Sequence, residues 1–539
     1  MKVFYAIATL VASLLLLWQC LGLFDQNSRS LMHDIVTEIY KHWTKQNDSI
    51  HDRKYGYFLQ LTDTHLDDHY KDGATLKSGC HTFPKNHTHS KHHTLCGTMG
   101  VPGVRMDAPS ILIEHTLDWI RREWRDKLDF VIWTGDNSRH DWDASHPRKE
   151  TKVLELNRKV TEMMTQLFSS TPEHPRGIPV VPVIGNNDVQ PHNFIELNDD
   201  VLFFFERLWD HWIPSDQRQT FLKGGYFAVD VAPQLRVLSI NTMFFLKKNP
   251  LAKSCKKKSS AGHIHMKWYK KELQRARRDH VKIYVIGHVP PSPRDFFKGC
   301  LSEYMSITAN FPDVVFGHFY GHLNMDHFLL YDKREEELKA FYEEEEQDEE
   351  EDTELELPYL EDSAHHLPGK DNKVTIQRNV KEYVSWLKNM YDDIDEFENK
   401  HPNRHGDQKK FSSEPVVVVH IAPSVFPVYM PTVRIYRYEY NSGKKHHAPK
   451  KEYGTLLGYA QYMANITEYN EVEGHKDPKP PLNYRLEYDT KKLYGLTDLS
   501  VDAYIEFADV LTQQNPASQK LWKTYCKNIF VQTMNKVFD

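Results

Sequence analysis

The stretch Tyr57-Phe58-Leu59-Gln60-Leu61-Thr62-Asp63-Thr64-His65 is a short apolar run that ends in a carboxylate and an imidazole two residues apart. A run of this kind, bounded by polar residues, predicts a buried strand. Open α/β sheets bind ligands beyond the carboxyl ends of their strands, which is where Asp63 and His65 would emerge together. The stretch therefore predicts a pair of metal ligands at a strand end.

Four later runs have the same form, an apolar segment followed by polar residues that can bind metal. They are Phe130–Trp133 before Gly135-Asp136-Asn137, Val180–Ile184 before Gly185-Asn186-Asn187-Asp188, Ile283–Ile286 before Gly287-His288, and Val314–Phe316 before a Gly-His cluster that ends at His322. From Arg53 onward, strand patterns alternate with helical patterns, which predicts an α/β fold. The strand ends would then carry oxygen and nitrogen ligands to one rim.

These residue types suit a pair of divalent metal ions. Such a pair needs a carboxylate that bridges the ions, with imidazole and amide oxygens on each side. Asp136 is the natural bridge, with Asp63 and His65 on one ion and Asn186, His288 and His322 on the other. Paired ions activate water for attack on phosphorus, so the pattern predicts hydrolysis of a phosphoester or phosphoanhydride. The sequence leaves the metal open among Mn, Mg, Zn, Co and Fe.

The motifs resemble the D-x-H, G-D, G-N-H-[DE], G-H and G-H-x-H blocks of the calcineurin-like metallophosphoesterases. The resemblance covers about residues 53–330 and a strand pair near 415–440, and it implies a four-layer α+β sandwich. Leu61-Thr62-Asp63-Thr64-His65 and Gly287-His288-Val289-Pro290-Pro291 look like the acid sphingomyelinase branch. Closer still, Gly185–Asn193 and Gly321–Phe328 resemble the fungal vacuolar endopolyphosphatases. That resemblance implies cleavage of internal phosphoanhydride bonds of inorganic polyphosphate.

Two residues depart from the wider family pattern. Asn187 stands where most members carry a histidine thought to protonate the leaving group, and Asn324 stands where a second histidine would complete the metal site. An amide oxygen can still coordinate a metal, but an amide cannot supply a proton. Phosphate leaves from polyphosphate as a stable anion, so Asn187 favours anhydride cleavage. The resemblance then implies that Asp136, Asn186, Asn187 and His288 are catalytic, and that Asn324 is a further metal ligand.

The charge distribution suits a polyanionic substrate. The whole chain has a formal net charge of -7, but Arg334–Asp362 alone contributes -14, which leaves +7 for the remainder. We expect Arg139, His192 and Arg294, which follow the motifs, to contact substrate. The acidic run itself predicts a disordered insertion, because it has few apolar residues to bury.

The N-terminal residues 1–24 form an apolar segment after Lys2 and predict a signal anchor, with a cleaved signal peptide as the alternative. We expect a 25–52 stalk, a 53–333 core, a 334–414 insertion with helix and linker, and core-completing strands and a helical extension in 415–539. The anchor and the resemblance imply a single-pass type II protein of the vacuole membrane with a lumenal catalytic domain. Sequons at Asn47, Asn86 and Asn465 agree with glycosylation there.

The cysteines suit an oxidising compartment. Cys80 with Cys96 and Cys255 with Cys300 are plausible pairs that would leave Cys526 unpaired, although spacing does not determine connectivity. Two other functions stay open: an acid sphingomyelinase-like phosphodiesterase, and a membrane-anchored binding module that has lost turnover. No nucleic-acid partner is expected, and the oligomeric state is open.

Overall fold

The computed structural model describes residues 55–332, 380–393, 416–440 and 451–535, apart from 85–94, 142, 144, 172–173, 176 and 473–478. The predicted anchor, stalk and acidic insertion lie outside these residues, as do the sequons at Asn47 and Asn86. Within the described ranges, no helix is long and apolar enough to cross a bilayer.

Within the described residues, fourteen strands form two large sheets and one short pair. They are β1 Tyr55–Leu61, β2 Leu66–Asp67, β3 Ala108–Pro109, β4 Phe130–Trp133, β5 Val180–Pro182, β6 Phe227–Ala232, β7 Leu235–Ser239, β8 Lys282–Ile286, β9 Val315–Tyr320, β10 His327–Asp332, β11 Val416–Ile421, β12 Thr432–Glu439, β13 Leu456–Met463 and β14 Arg485–Asp489. The first six-stranded sheet has the order β14-β13-β12-β1-β4-β5, and the second has the order β10-β11-β9-β8-β7-β6. The short pair joins β2 to β3.

The helices connect and cover these strands. They are α1 Ser110–Glu123, α2 Glu150–Phe168, α3 Val201–Leu208, α4 Arg218–Gly224, α5 Ala261–Asp279, α6 Lys298–Ala309, α7 380–393, α8 Ile466–Glu471, α9 Thr490–Tyr494, α10 Val501–Thr512 and α11 Pro516–Ile529. Both α1 and α2 bury their apolar stripes on the first sheet, whereas α5 and α6 belong to the core of the second.

The alternation of side chains in β1 shows how the layers form. Phe58 stacks on Phe130 and Tyr436 of the neighbouring strands β4 and β12 at centroid distances of 4.8 Å. It faces the second sheet, where it meets Phe319 of β9 edge-on at 5.4 Å. Leu59 points to the opposite face and packs in the cluster that contains α1 and α2. Because successive strand residues face opposite ways, one strand serves both layers. The fold is a mixed α/β sandwich with helices outside the two sheets.

Strand direction places the functional loops. In the first sheet β1, β4 and β5 are parallel, and in the second sheet β7, β8 and β9 are parallel. Neighbouring parallel strands end at the same edge, so the loops after β1, β4, β5, β8 and β9 meet there. The C-terminal part of the chain completes both sheets, with β11 between β9 and β10 and β12 beside β1.

The structure joins Cys80 to Cys96 and Cys255 to Cys300, and it leaves Cys526 as a buried thiol. Asn465 is the one sequon asparagine among the described residues. Its side-chain oxygen accepts the Glu468 backbone N–H at 3.1 Å and so caps α8.

Candidate metal centre

Five side chains from four loops converge at the rim and define what we call the rim cluster. Its members are Asp63, His65, Asp136, His288 and His322, all of them buried. The sequence predicted each of these residues as a metal ligand, and the structure brings them together.

Asp136 lies at the middle of the rim cluster. Its Oδ2 is 3.5 Å from His65 Nε2 and 3.1 Å from His288 Nε2. On one side His65 Nε2 also approaches Asp63 Oδ1 at 3.6 Å. On the other side His288 Nε2 lies 2.8 Å from Asn186 Oδ1 and 3.2 Å from His322 Nδ1. Asp136 thus lies between two groups of potential ligand atoms.

The backbone at the rim is held in an unusual conformation. Five residues there have positive φ: Asp63 (49°), His65 (39°), Asp136 (59°), His322 (68°) and Asn324 (58°). Residues other than glycine seldom adopt this region, and such conformations concentrate at functional sites. The loops thus turn sharply after their strands and aim the side chains inward.

Two glycines of the motifs permit the close approach of these loops. A Cβ on Gly185 would overlap the Asp136 carboxylate, and a Cβ on Gly321 would overlap Asp63 Oδ2. Any larger residue at either position would have to push a predicted ligand out of place. The glycines therefore serve the geometry of the rim cluster.

Asp188, the last residue of the Gly185-Asn186-Asn187-Asp188 motif, fixes the loop that carries Asp136. Its carboxylate accepts backbone N–H groups from Asp136 (2.9 Å), Asn137 (2.7 Å) and Gly185 (2.9 Å). These bonds satisfy a buried carboxylate and at the same time hold two strand ends together.

Main-chain carbonyls orient two of the imidazoles. Nδ1 of His65 donates to the Ser138 carbonyl at 3.1 Å, and Nδ1 of His288 donates to the Thr134 carbonyl at 2.8 Å. A carbonyl can only accept, so in both rings Nε2 is the atom that faces Asp136. Metal-binding histidines are commonly oriented in this way.

The electrostatics of the rim cluster favour cations. Burial lowers the pKa of His65, but the nearby carboxylates of Asp63 and Asp136 outweigh burial and raise that pKa to about 9. Asp136 likewise overcomes burial and raises the pKa of His288 to about 10. Burial alone would raise the pKa of Asp136, but the nearby His288 and His65 hold it well below its usual value. The carboxylates thus stabilise positive charge, whether carried by protons or by divalent ions.

Several buried atoms of the site make no hydrogen bond within the described part of the chain. They are Asp63 Oδ1, His65 Nε2 and Asn324 Oδ1. Buried polar atoms without partners are rare and costly. Oxygen and imidazole-nitrogen donors of this kind suit divalent cations, so the residues present fit the metal site that the sequence predicts.

Asn187 has an unexpected set of partners. Its Nδ2 donates to Asp136 Oδ2 at 2.9 Å, and its backbone N–H donates to Asp136 Oδ1 at 2.8 Å. Its own Oδ1 accepts from Arg148 Nη1 at 3.2 Å. Asn187 therefore holds the Asp136 carboxylate, a role that the sequence motif did not indicate.

Arg148 is a residue of the site that the sequence did not reveal. Besides Asn187 Oδ1, its buried guanidinium donates to the carbonyls of Arg139 at 3.0 Å and Asn187 at 2.8 Å. It thereby ties the loop after β4 to the loop after β5. No motif contains Arg148, and a single arginine before a helix carries no functional signal.

The three residues predicted to contact substrate, Arg139, Arg294 and His192, lie in different surroundings. Arg139 is only 1% exposed, and its guanidinium donates to the carbonyls of His140 and His146. It lines neither of two adjoining recesses at the rim, so its predicted substrate contact has no support in its position. Arg294 lines one recess with His322 and Asn324, and His192 lines the other with Asn186 and Asn187.

His140 lines both recesses and has a carboxylate partner. Its Nδ1 donates to Asp107 Oδ1 at 2.7 Å, its backbone N–H bonds Asp107 Oδ2 at 3.1 Å, and its ring stacks on His65 with centroids 4.1 Å apart. The sequence signal was its place four residues after Asp136, but the partnership with Asp107 depends on the fold.

The comparisons with known proteins agree with this site. Residues 57–323 match the family described as calcineurin-like phosphoesterase. Over 71% of its length, the chain is 35% identical to the endopolyphosphatase of Saccharomyces cerevisiae and 31% identical to that of Cryptococcus neoformans. The alignments cover 61% and 58% of those relatives, so the chain spans about three fifths of their length.

A solved dimetal phosphatase from Danio rerio aligns with 52% of this chain and 85% of its own, at 12% identity and a TM-score of 0.29. That TM-score is too low to support an argument. The family match and the sequence relatives show that residues 57–323 belong to the calcineurin-like phosphoesterase family and that the chain resembles fungal endopolyphosphatases.

Proposed function

We propose that this chain is a metal-dependent endopolyphosphatase, which hydrolyses internal phosphoanhydride bonds of inorganic polyphosphate to give shorter chains. The observation that carries the proposal is the rim cluster, in which two ligand sets share Asp136 and leave buried donor atoms without partners. The relatives named endopolyphosphatase supply the substrate class.

Asp63, His65, Asp136, Asn186, His288, His322 and Asn324 would hold two divalent ions chosen from Mn, Mg, Zn, Co and Fe. Such ions supply Lewis acidity that polarises a phosphoryl oxygen and activates water. Asp136 keeps the two ligand sets together, and Asn187 fixes the rotation of its carboxylate through the bond from Nδ2. Thr134 and Ser138 hold His288 and His65 in the tautomer that presents Nε2.

The position of His140 suits donation of a proton during the reaction. Asp107 fixes its ring through Nδ1 at 2.7 Å, so Nε2 is the atom that would donate to a leaving oxygen. A leaving phosphate needs little such help. The His140 proton would matter more for a substrate with an alkoxide leaving group.

One observation favours a second function, the acid sphingomyelinase-like phosphodiesterase. The recess that contains Arg294 also has apolar walls formed by Leu323, Met325, Phe426, Val428 and Tyr429. Such walls could accommodate an organic leaving group. Comparing kcat/KM for polyphosphate with kcat/KM for a choline phosphodiester distinguishes the two functions.

The direct test is gel analysis of long-chain polyphosphate after incubation with the purified chain and each divalent ion in turn. Early appearance of intermediate chain lengths is expected for internal cleavage. Failure to shorten polyphosphate with any of the ions would overturn the proposal.

The proposed location is the vacuole membrane, with a single N-terminal anchor and a lumenal catalytic domain. It rests on the apolar segment at residues 1–24 and on the two disulfides, which suit an oxidising compartment. Protease protection of the catalytic domain in intact vacuoles, lost on detergent lysis, is the expected result. Cleavage without detergent would contradict it.

A further inference from the structure

The side chain of Asn187 connects Asp136 to Arg148. Its Nδ2 donates to Asp136 Oδ2 at 2.9 Å, and at the other end of the same amide Oδ1 accepts from Arg148 Nη1 at 3.2 Å. All three residues are buried. They form one continuous chain of hydrogen bonds that runs from the guanidinium to the central carboxylate of the rim cluster.

The donors and acceptors in this chain permit only one orientation of the Asn187 amide. An ionised carboxylate only accepts hydrogen bonds, and a guanidinium only donates them. If the amide turned over, Oδ1 would face the carboxylate of Asp136 and Nδ2 would face the guanidinium of Arg148. Both bonds would then be replaced by repulsive contacts. Arg148 therefore determines which end of the amide reaches Asp136.

The guanidinium of Arg148 is itself held in place. Besides Asn187 Oδ1, it donates to the carbonyls of Arg139 (3.0 Å), Asn187 (2.8 Å) and Val189 (3.3 Å) and to Gln190 Oε1 (3.2 Å). A planar fork with several acceptors at fixed positions has little rotational freedom. Arg148 lines neither of the two recesses at the rim, so its position suits action through Asn187 and not on substrate.

The charge of Arg148 does not by itself favour a metal ion. Burial lowers the pKa of Arg148, and the charges of Asp136, Asp141 and Asp188 oppose that change. A guanidinium stays protonated in proteins, so Arg148 places a positive charge one amide away from Asp136, where it repels a divalent ion. Any benefit to metal binding must therefore come from the position that Arg148 gives to the Asn187 amide.

We propose that Arg148 is a positioning residue for the metal centre: it fixes the Asn187 amide and, through that amide, the rotation of the Asp136 carboxylate. This inference rests on the proposed metal-dependent function, and it adds to that function a residue that contacts neither metal nor substrate. Partners that orient metal ligands commonly account for about 10–100-fold in metal affinity.

The test measures binding of Mn²⁺ alone to chelator-treated protein by isothermal titration calorimetry, so it does not depend on turnover. Arg148→Met removes every donor, whereas Arg148→Lys keeps the charge and a donor without the planar fork. The matched control is Arg125→Met. Arg125 is also a buried arginine, and its Nε and Nη2 donate to the carbonyls of Leu167 and Ser169, both at 2.7 Å and neither at the rim.

The dissociation constant for Mn²⁺ should rise about tenfold in Arg148→Met and about threefold in Arg148→Lys, and it should stay within about twofold of the wild-type value in Arg125→Met. At saturating Mn²⁺, kcat for polyphosphate should fall in Arg148→Met while KM changes little. Asn187→Ala should weaken Mn²⁺ binding as much as Arg148→Met does. The double variant should be no weaker than either single variant, because residues that act as one unit do not have additive effects.

Each other result has a definite meaning. Tighter Mn²⁺ binding in Arg148→Met would show that repulsion outweighs positioning, and it would overturn this inference, as would a wild-type protein that binds no Mn²⁺. Multiplied effects in the double variant would show that Arg148 acts independently of Asn187. An equal loss in Arg125→Met would reduce the effect to general destabilisation. In all these cases a wild-type protein that shortens polyphosphate leaves the proposed function intact, and one that does not overturns that function separately.

Discussion

Two clusters of histidine and aspartate in this chain differ in whether their buried polar atoms have hydrogen-bond partners. The rim cluster leaves buried ligand atoms such as Asp63 Oδ1 and His65 Nε2 without hydrogen bonds. The second, which we call the His81 cluster, consists of Asp67, His81, Asp143 and His146. There both ring nitrogens of His81 are paired, with Asp143 Oδ2 and Asp67 Oδ2, each at 2.7 Å.

The two clusters also differ in backbone conformation. Three members of the rim cluster's first ligand set, Asp63, His65 and Asp136, have positive φ, whereas none of the four described residues of the His81 cluster does. The remaining oxygens of Asp67 and Asp143 accept the backbone N–H groups of His69 and Ser145. Residue types alone would nominate both clusters as metal sites. The buried polar atoms of Asp67, His81 and Asp143 have hydrogen-bond partners, so the His81 cluster needs no metal ion. The rim cluster has buried atoms without such partners, which indicates that it needs a cation.

The largest expected effect comes from the same substitution made in each cluster. Asp136→Asn should reduce polyphosphate hydrolysis by at least about 1,000-fold, because the shared charge between the two ligand sets is lost. Asp143→Asn should reduce it less than about tenfold when assayed well below the melting temperature. Steady-state kinetics of both variants measure this contrast. Equal losses in the two variants would show that the clusters do not differ in function.

Stabilisation by a divalent ion should show which cluster binds metal, without an activity assay. Adding a divalent ion at about 100 times its dissociation constant should stabilise the wild-type protein by about 2.7 kcal/mol, a rise in melting temperature of about 3 °C. Asp136→Asn should lose most of this rise, and His81→Gln should keep it. Thermal melts with and without chelator provide the measurement. A rise that depends on His81 instead would reverse the assignment of the metal site.

The His81 cluster should contribute a pH-dependent part of the stability. Burial lowers the pKa of His81, but Asp67 and Asp143 outweigh it and raise that pKa above its usual value. Folding then favours the protonated ring, so its contribution is complete below about pH 6.5, the unfolded value, and is lost as the pH rises through the folded pKa.

Accordingly, His81→Gln should lower the free energy of unfolding by about 3 kcal/mol at pH 5.5, because it leaves two buried carboxylates without their cation. The loss should be smaller at pH 9. Denaturant titrations at the two pH values measure it, and His211→Gln, at an exposed histidine, is the control. A loss that grows with pH would contradict the proposed charge on His81.

The same comparison explains how far the sequence alone could go. The motifs after β1, β4, β5, β8 and β9 located the rim cluster, because parallel strands end at a common edge whatever the loops do. Arg148 and the pair of Asp107 with His140 escaped notice because their partners are distant in sequence and no spacing connects them. The burial of Arg139 was not anticipated for a related reason, since its sequence position next to the motif gives no sign of it.

The strands also show that the sequence does not reveal features that depend on tertiary contacts. The strands β6 and β7 are two apolar runs separated by a short loop, a pattern that predicts a hairpin, and their antiparallel pairing confirms it. β14, Arg485–Asp489, was missed. It lies at a sheet edge with its first two residues exposed, so its strand conformation depends on pairing with β13 and leaves little hydrophobic pattern in the sequence.

The smallest expected effect concerns Asn187 and distinguishes two reasons for its presence. If asparagine is tolerated because a leaving phosphate needs no acid, Asn187→His should change polyphosphate hydrolysis little and increase hydrolysis of alkyl phosphodiesters. If its task is to hold Asp136, as the bond of 2.9 Å to Oδ2 indicates, the substitution should lower both activities alike, by about threefold. A histidine ring can keep one donor to Asp136 but then offers Arg148 no equivalent acceptor at the old Oδ1 position. We expect the second outcome, because the amide links both partners at once. Kinetics on both substrates decide the question, and a gain on the alkyl ester would restore leaving-group chemistry as the reason for asparagine.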